Sequence, residues 1–275
     1  MSKLKTGTKF VLISIVIAAI TFFAVRAFDT RQMPPLELWH THVPTELDVK
    51  AMDAGDWAGY LKAEDKILRT IRAEVTEKLP PEARTPSNRY YEGSLIYPAR
   101  YAQDWNRSYV LEPSGSPVGA VVLLHGLTDS PYSLRHIARR YAANGFVVVA
   151  IRLPGHGTVP GDLLDVDDQE WVQATGLAVA SLERQAERLV FVGFGLGATL
   201  ALHEALSDQP RPGPELVGLV LLSPALGATA PLAWLPAPGV DADAIENYFS
   251  GSGGSILGLL NLFSGGALSQ FSLFA

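Results

Sequence analysis

The chain has 275 residues, of which 48% are hydrophobic and 18% are charged, with a formal net charge of −6 and no cysteine. The lack of cysteine excludes disulfide frameworks, thiolate nucleophiles and cysteine-ligated metal sites. The acidic balance argues against a nucleic-acid partner, because there is no basic excess to displace counterions from phosphates. The charge is unevenly distributed, since residues 247–275 carry none.

The first segment, residues 1–27, predicts a membrane anchor. Three lysines precede an uncharged, almost wholly apolar run over residues 10–25, which Arg26 closes. At about 1.5 Å per residue this run rises roughly 24 Å, close to the thickness of a hydrocarbon core. A cleavable signal peptide is the alternative, although the run is long for one. The lysines predict a single-pass protein of the cytoplasmic membrane, with its N-terminus inside and its main domain outside, in the periplasm or extracellular space.

Residues 28–87 are predicted to form a tether and an amphipathic helix. Prolines 34, 35 and 44 stand among polar residues and indicate the tether. The helix is expected from about Asp48 to Leu79, where Pro80 ends it. Its apolar residues recur near a period of 3.6, so we interpret the stripe as packing against the following domain. The stripe consists of Trp57, Tyr60, Leu61, Ile67, Leu68, Ile71, Val75 and Leu79.

Residues 88–226 alternate between short apolar runs and helical stretches, which predicts an α/β domain. The predicted strands are Val118 to Leu124, Phe146 to Ile151, Leu189 to Val192 and Leu216 to Leu222. The predicted helices are Ser133 to Asn144, Trp171 to Ala186 and Ala198 to Ser207. Strands without polar alternation are typical of a parallel sheet covered on both faces. The fold class is therefore α/β, with a doubly wound, mostly parallel sheet.

Three turns follow predicted strands at the sheet edge where open α/β sheets place their sites. They are residues 125–127, 153–157 and 193–197. The third is a strand-to-helix turn, GFGLG, in which Gly193 and Gly197 allow close approach to neighbouring elements and Gly195 stands at the tip.

These segments resemble α/β-hydrolases, and specifically bacterial carboxylesterases of the monoacylglycerol-lipase or serine-aminopeptidase-like branch. The matching strings are DWNRS at 104–108, LHGLTDSPYS at 124–133, LPGHGT at 153–158, a tryptophan at 171 and the turn at 193–197. The resemblance covers roughly residues 88–225. It implies hydrolysis of a carboxylic ester, acylglycerol-like, through a serine acyl-enzyme, without cofactor or metal, and it implies a small acyl or ester ligand.

The resemblance also implies roles for single residues. The backbone N–H groups of Leu127 and Leu196 would form the oxyanion hole that stabilises the tetrahedral intermediate. His125, Gly126 and His156 would shape the site loops rather than act as bases. Asp129 and Ser130 are expected to cap the helix near Ser133, and the carboxylates at 165, 167 and 168 suit the N-terminus of the helix at Trp171.

The catalytic pattern itself is incomplete. The elbow position that carries the nucleophilic serine in this family is occupied by Gly195. His203 is the last histidine, and eight residues into the helix it lies about 12 Å along the axis from the elbow. Ser223 lies at the same sheet edge, but no histidine is predicted beside it. The chain is therefore predicted to be inactive, a pseudoenzyme candidate; a membrane-tethered acyl-ligand or interaction scaffold, or a fragment of a longer esterase, are the alternatives.

Residues 227–275 form a tail rich in glycine, serine and apolar residues. The family places a lid and two more strands there, and neither is readable, so the fold is expected to be incomplete at this end. A truncated or frame-shifted end, an apolar lid and a membrane-contacting tail all fit the composition. Partners are expected to be the bilayer, through residues 10–25, and no nucleic acid; the oligomeric state stays open.

Overall fold

The computed structural model describes residues 2–32, 35–53, 55–207 and 212–225. The chain divides into two compact units, residues 1–37 and 38–275. The predicted tail over 227–275 lies outside the described residues.

The first unit is a single long helix, α1 (Ser2–Gln32). Its segment Lys9–Gln32 has a mean hydropathy of 2.4 and is long and apolar enough to cross a membrane, a property that a signal sequence near the N-terminus shares. Every side chain described in this helix is exposed. Among the described residues, the apolar run of this helix therefore has no packing partner within its own unit.

The second unit is built on a mixed sheet of five strands in the order β1-β3-β2-β4-β5. The strands are β1 (Tyr109–Leu111), β2 (Gly119–Leu124), β3 (Phe146–Ile151), β4 (Arg188–Phe194) and β5 (Glu215–Leu222). β1 pairs antiparallel with β3, and all the other pairs are parallel. The predicted mostly parallel α/β sheet is confirmed.

Five further α-helices belong to the second unit in the described residues, together with short 3₁₀ turns. These helices are α2 (Leu38–Thr41), α3 (Trp57–Ile71), α4 (Arg135–Ala143), α5 (Asp168–Ala180) and α6 (Leu196–Leu206). A π-helical turn, Arg72–Thr76, continues α3. The 3₁₀ turns are Val49–Ala51, Pro81–Ala83, Pro98–Arg100, Pro131–Leu134 and Pro160–Leu164.

The core lies on both faces of the sheet, as a doubly wound arrangement requires. On one face Val122 and Leu124 of β2 pack in a cluster with residues of α3, α5 and α6, among them Trp171. On the other face Val121 and Leu123 pack with residues of α4. Consecutive side chains of a strand point to opposite faces, so the unbroken apolar run of β2 is what allows it to carry both clusters.

Some details of the predicted elements were wrong. The amphipathic helix begins at Trp57 instead of Asp48, because Asp56 caps it by accepting a hydrogen bond from the Gly59 N–H at 2.9 Å. The helix expected from Trp171 begins at Asp168, where Asp167 and Glu170 form a reciprocal capping box, and it ends at Ala180.

The short strand β1 was not predicted, because three residues carry too little periodicity to be recognised. β5 was expected to be buried on both faces, but its residues are only half-buried or exposed. It lies at the edge of the described sheet.

Candidate active site

The elbow between β4 and α6 depends on two glycines. A Cβ at Gly193 would lie 2.3 Å from the Gly197 carbonyl oxygen, and a Cβ at Gly197 would lie 2.0 Å from that of Leu124. Real side chains do not approach backbone atoms so closely. Glycine at both positions therefore lets the start of α6 pack against the end of β2.

Gly195 occupies the tip of this elbow in a left-handed conformation, with φ 54° and ψ −114°. Its N–H donates to the Leu222 carbonyl at 3.0 Å, which fixes the tip against the end of β5. A Cβ added here would meet only the Gly126 Cα, at 3.7 Å. There is thus room for a side chain at the tip, and that side chain would stand beside the turn that follows β2.

The turn after β2 brings Leu127 to the elbow. The Gly126 carbonyl accepts from the Asp129 N–H at 3.2 Å, and Thr128 adopts a positive φ of 61°. In the described part of the chain the Leu127 N–H donates to no protein acceptor. Leu196 is the first residue of α6, where an N–H has no intrahelical acceptor. The assignment of these two N–H groups to an oxyanion hole stays a prediction.

His125 is buried, and both of its ring nitrogens are engaged with the backbone. Nδ1 pairs with the Gly126 carbonyl at 2.9 Å, and Nε2 accepts from the Leu153 N–H at 3.0 Å. This bridge ties the turn after β2 to the turn after β3. Burial lowers the pKa of His125 to about 4, so the ring is neutral near pH 7.

His156 lies next to His125, with ring centroids 5.0 Å apart, and packs on Trp171. Its Nδ1 pairs with the Pro154 carbonyl at 2.9 Å, while its buried Nε2 has no hydrogen-bond partner among the residues that the structure describes. Burial, together with the adjacent His125, lowers the pKa of His156 to about 3. A fully buried neutral ring that holds its own turn is placed to shape the loop.

A buried ion-pair cluster holds the same loop, and it was not predicted from the sequence. Arg152, at the end of β3, makes a two-pronged pair with Glu46 at 2.8 and 3.0 Å and donates to the His156 carbonyl at 3.0 Å. Glu46 also accepts from the Gly155 N–H at 2.7 Å. Burial opposes ionisation of Glu46, but the charge and hydrogen bonds of Arg152 outweigh it, so the pKa of Glu46 is lowered.

The second acid of this cluster comes from α3. Glu64 is fully buried, lies 3.5 Å from Arg152 and accepts from the Ser108 N–H at 3.0 Å and from its hydroxyl at 2.5 Å. The only sequence signal was a charged residue inside the apolar stripe of α3, between Tyr60 and Ile67. Glu46, Arg152 and Glu64 come from three distant parts of the chain, so spacing alone could not associate them.

The remaining candidates are Ser130, Asp129, Ser223, which directly follows the Leu222 that bonds to Gly195, and His203. Ser130 precedes the 3₁₀ turn at Pro131 without a side-chain cap, so it does not cap α4 as predicted; its hydroxyl donates to Asn106 at 2.8 Å. Asp129 accepts from the Ser133 hydroxyl at 2.5 Å. Ser223 is exposed and has a positive φ of 48°. His203 is exposed on α6. Within the described ranges, no three acidic or histidine side chains are grouped as a metal site requires.

Comparison with known proteins places these features in context. The model of the alpha/beta hydrolase family matches residues 121–271. A thermostable monoacylglycerol lipase of Bacillus sp. (strain H-257) is 32% identical over 114 residues, 42% of this chain and 43% of that protein. A monoacylglycerol lipase of Mycolicibacterium smegmatis is 28% identical over 151 residues, 50% of this chain and 54% of that protein.

A different relative shares a shorter stretch. The protein translocase subunit SecY of Thermus thermophilus is 44% identical over 57 residues, which is 21% of this chain and 12% of that protein. The chain thus spans about half or less of the length of these curated relatives.

Among solved structures, one from a study of the metagenome-derived lipolytic enzymes LipS and LipT is 25% identical, with a TM-score of 0.39, and the match covers 52% of this chain and 56% of that chain. A thermostable carboxyl esterase from Bacillus coagulans is 22% identical, with a TM-score of 0.38, and the match covers 57% and 51%.

Proposed function

Because the chain belongs to the alpha/beta hydrolase family, with esterase- and lipase-like relatives, we propose that it is a membrane-anchored member built on a carboxylic ester hydrolase scaffold whose own elbow does not turn over esters. The substrate class of the scaffold is acylglycerol-like, in line with the two monoacylglycerol lipases among its relatives.

The observation that carries the proposal is Gly195. In a serine esterase the tip hydroxyl attacks the ester carbonyl, a histidine removes its proton, and backbone N–H groups stabilise the oxyanion that forms. Gly195 supplies no side-chain oxygen, so the tip of the elbow has no atom that can form a bond to the acyl carbon. The open space at its Cβ position, beside Gly126, marks where that oxygen would stand.

The neighbouring histidines do not replace the missing machinery. A general base must reach the proton it removes, within about 3 Å, and must be able to accept it near the operating pH. His125 has both nitrogens engaged with backbone groups. His156 is buried with a pKa near 3. Both therefore serve the loops, while the amides of Leu127 and Leu196 keep the donors for an acyl oxygen.

The second candidate function rests on those retained donors. The N–H groups of Leu127 and Leu196, which donate to no acceptor among the described residues, would hold the carbonyl or carboxylate oxygen of an acyl ligand beside a tip that cannot attack it. The chain would then act as a membrane-tethered acyl-ligand scaffold. Turnover and binding measurements separate this function from that of an esterase.

The membrane part of the proposal rests on α1. The helix is long and apolar enough to span a bilayer, and three lysines at its N-terminal side favour an N-terminus in the cytoplasm with the hydrolase unit outside. An ester or acyl ligand would then be met on the outer side of the cytoplasmic membrane.

Hydrolysis of p-nitrophenyl butyrate by the purified full chain tests the proposal. We expect no turnover above the uncatalysed rate and no effect of a serine-directed phosphonate, both for the natural chain and for Gly195→Ser, which restores the hydroxyl but not a base. Thermal unfolding should show that Gly195→Ser still folds, because its Cβ has room, with a cost of about 1–3 kcal/mol for the left-handed backbone. Phosphonate-sensitive turnover by the natural chain would refute the proposal.

A further inference from the structure

A cavity of about 650 Å³ lies outside the elbow and shares none of its residues. One wall comes from the segment that precedes β1, including Tyr101, Trp105 and Asn106, and the other from Tyr132 and Arg135 after β2. Its volume lies within the range of about 300–1,000 Å³ that is usual for small-molecule sites.

The walls of this cavity expose large apolar side chains. Leu95 is 65% exposed, Ile96 55%, Tyr101 57% and Tyr132 46%. A single exposed apolar side chain is common on protein surfaces, but here four of them line the same cavity. Such a lining favours a ligand with an apolar body.

Two arginines at the cavity are held in place without an acidic partner. Arg89 donates to the Gly157 carbonyl at 3.1 Å. Arg135 donates to the Tyr132 carbonyl at 2.8 Å, and its guanidinium lies 3.6 Å from the centre of the Tyr132 ring. Neither arginine forms a salt bridge within the described residues. All the salt bridges found there involve other lysines and arginines.

The one carboxylate at the cavity is already engaged. Asp104 accepts hydrogen bonds from the backbone and side-chain nitrogens of Asn106 at 3.0 and 3.1 Å. The cavity therefore holds two guanidinium groups against one carboxylate, an excess of one positive charge. Guanidinium groups present several donors in a fixed plane that suits carboxylate and phosphate oxygens.

We propose that this cavity binds an anionic amphiphile, with its acidic head on Arg89 and Arg135 and its apolar body against Leu95, Ile96 and Tyr101. The shared chemistry is a carboxylate or phosphate on an apolar chain. Its source is either a dissolved monomer or an anionic lipid of the bilayer. The site is separate from the elbow, so the outcome of the esterase assay does not decide it.

Titration of the full chain in neutral phosphatidylcholine nanodiscs with 4-phenylbutyrate, followed by ligand-observed NMR, tests the site. We expect saturable binding. Arg89→Gln and Arg135→Gln should each weaken it about tenfold, as expected when a hydrogen bond to a charged group is lost. The neutral amide of the same probe should also bind at least tenfold more weakly. Arg140→Gln, on the exposed face of the same helix as Arg135, is the matched control and should bind like the natural chain.

A second arm distinguishes the sources. In nanodiscs that contain phosphatidylglycerol, competition with 4-phenylbutyrate identifies bilayer lipid as the occupant, and unchanged binding identifies a dissolved monomer. The proposal is overturned if the probe does not bind, or if correctly folded Arg89→Gln and Arg135→Gln bind it as tightly as the natural chain.

Discussion

Asp162 is a buried carboxyl group at the loop that follows β3. It is 1% exposed, and the Thr158 hydroxyl donates to its Oδ2. Burial, together with the nearby charge of Glu46, raises the pKa of Asp162 to about 7. In the unfolded chain an aspartate titrates near 4, so the folded protein keeps a proton that the unfolded chain has already released.

Because of this difference, the effect of Asp162→Asn on the free energy of unfolding should depend on pH. A raised folded pKa means that the stabilising contribution of Asp162 is fully present below about pH 4 and is lost as the pH rises to about 7. The amide mimics the protonated acid. We expect the variant to gain stability over the natural chain by about 1.4 kcal/mol per pH unit across that window, measured by urea unfolding at pH 5, 6 and 7.

Asp165→Asn is the matched control, because Asp165 is exposed in the same loop. Its stability relative to the natural chain should not change with pH. A difference between Asp162→Asn and the natural chain that stays constant from pH 5 to 7 would show that Asp162 is ionised in the folded state. His125 and His156 contribute equally to both chains and therefore cancel in this comparison.

Single residues were predictable from the sequence where the backbone demands them. Gly193 and Gly197 were expected to allow close approach, and any side chain there would overlap backbone atoms. His125 and His156 were identified because they lie in the motifs at 124–133 and 153–158. Glu46, Arg152 and Asp162 were not, because nothing in their local sequence says that they become buried together.

At the scale of elements, α3 is attached to the sheet through a polar contact inside an apolar face. Glu64 of α3 reaches Arg152 at the end of β3, and the Tyr60 hydroxyl donates to the Arg152 carbonyl at 2.5 Å. Around them Ile67, Ile71 and Val75 are buried in the main cluster. The helix is thus positioned by hydrophobic packing and oriented by the ion-pair cluster.

Arg152→Met should show how much the sheet depends on this cluster. The variant leaves Glu46 buried without its cation and leaves Glu64 with only Arg107, at 3.7 Å. Removal of one partner of a buried pair costs about 3–5 kcal/mol. We expect a loss of that size in the free energy of unfolding, measured by urea unfolding at pH 7. Lys50→Ala, which breaks the exposed pair with Asp167, should cost no more than about 1 kcal/mol.

The triple variant Arg152→Met, Glu46→Gln, Glu64→Gln separates charge from packing. Because it leaves no buried charge, it should recover a part of the stability lost in Arg152→Met. If Arg152→Met costs no more than Lys50→Ala, the cluster does not hold α3 to the sheet.

The elements themselves were predicted as well as their patterns allowed. β3 was predicted at its observed bounds, because an unbroken apolar run lies between turn residues. The beginning of α3 was misplaced because the period of apolar residues gives no weight to Asp56, whose side chain caps the helix. β1 pairs with β3 through three residues only, and its position depends on that partner and not on its own sequence.

At the scale of the whole molecule, the uneven charge of the sequence distinguishes a long apolar helix from a domain. The long uncharged run near the N-terminus lies in α1. Most charged residues of the described domain lie on its surface or in ion pairs such as that of Arg152, whereas Asp162 and Asp168 are buried outside the ion pairs of the described residues. Composition alone predicted the helix. It did not predict the orientation of the chain in a membrane, which depends on the balance of a few charges beside the helix.

The lack of cysteine makes the orientation directly measurable. Two single-cysteine variants can be made, and each has one thiol in the chain. Ser114→Cys lies in the exposed connection between β1 and β2, and Ser2→Cys lies near the N-terminus. If α1 spans the cytoplasmic membrane with its lysines inside, a membrane-impermeant maleimide added to intact cells should label Ser114→Cys and leave Ser2→Cys unlabelled until the cells are opened.

Extraction of the membrane fraction tests whether α1 anchors the chain. A carbonate wash should leave the protein in the membrane fraction, whereas Val16→Asp combined with Ile20→Asp should release it, because each charge at the centre of a bilayer costs about 2.5–3.5 kcal/mol on the insertion scale. A shorter chain that lacks the N-terminal residues would instead indicate a cleaved signal peptide. Labelling of Ser2→Cys from outside intact cells would contradict the proposed orientation, because the three lysines would then lie on the outer side of the membrane.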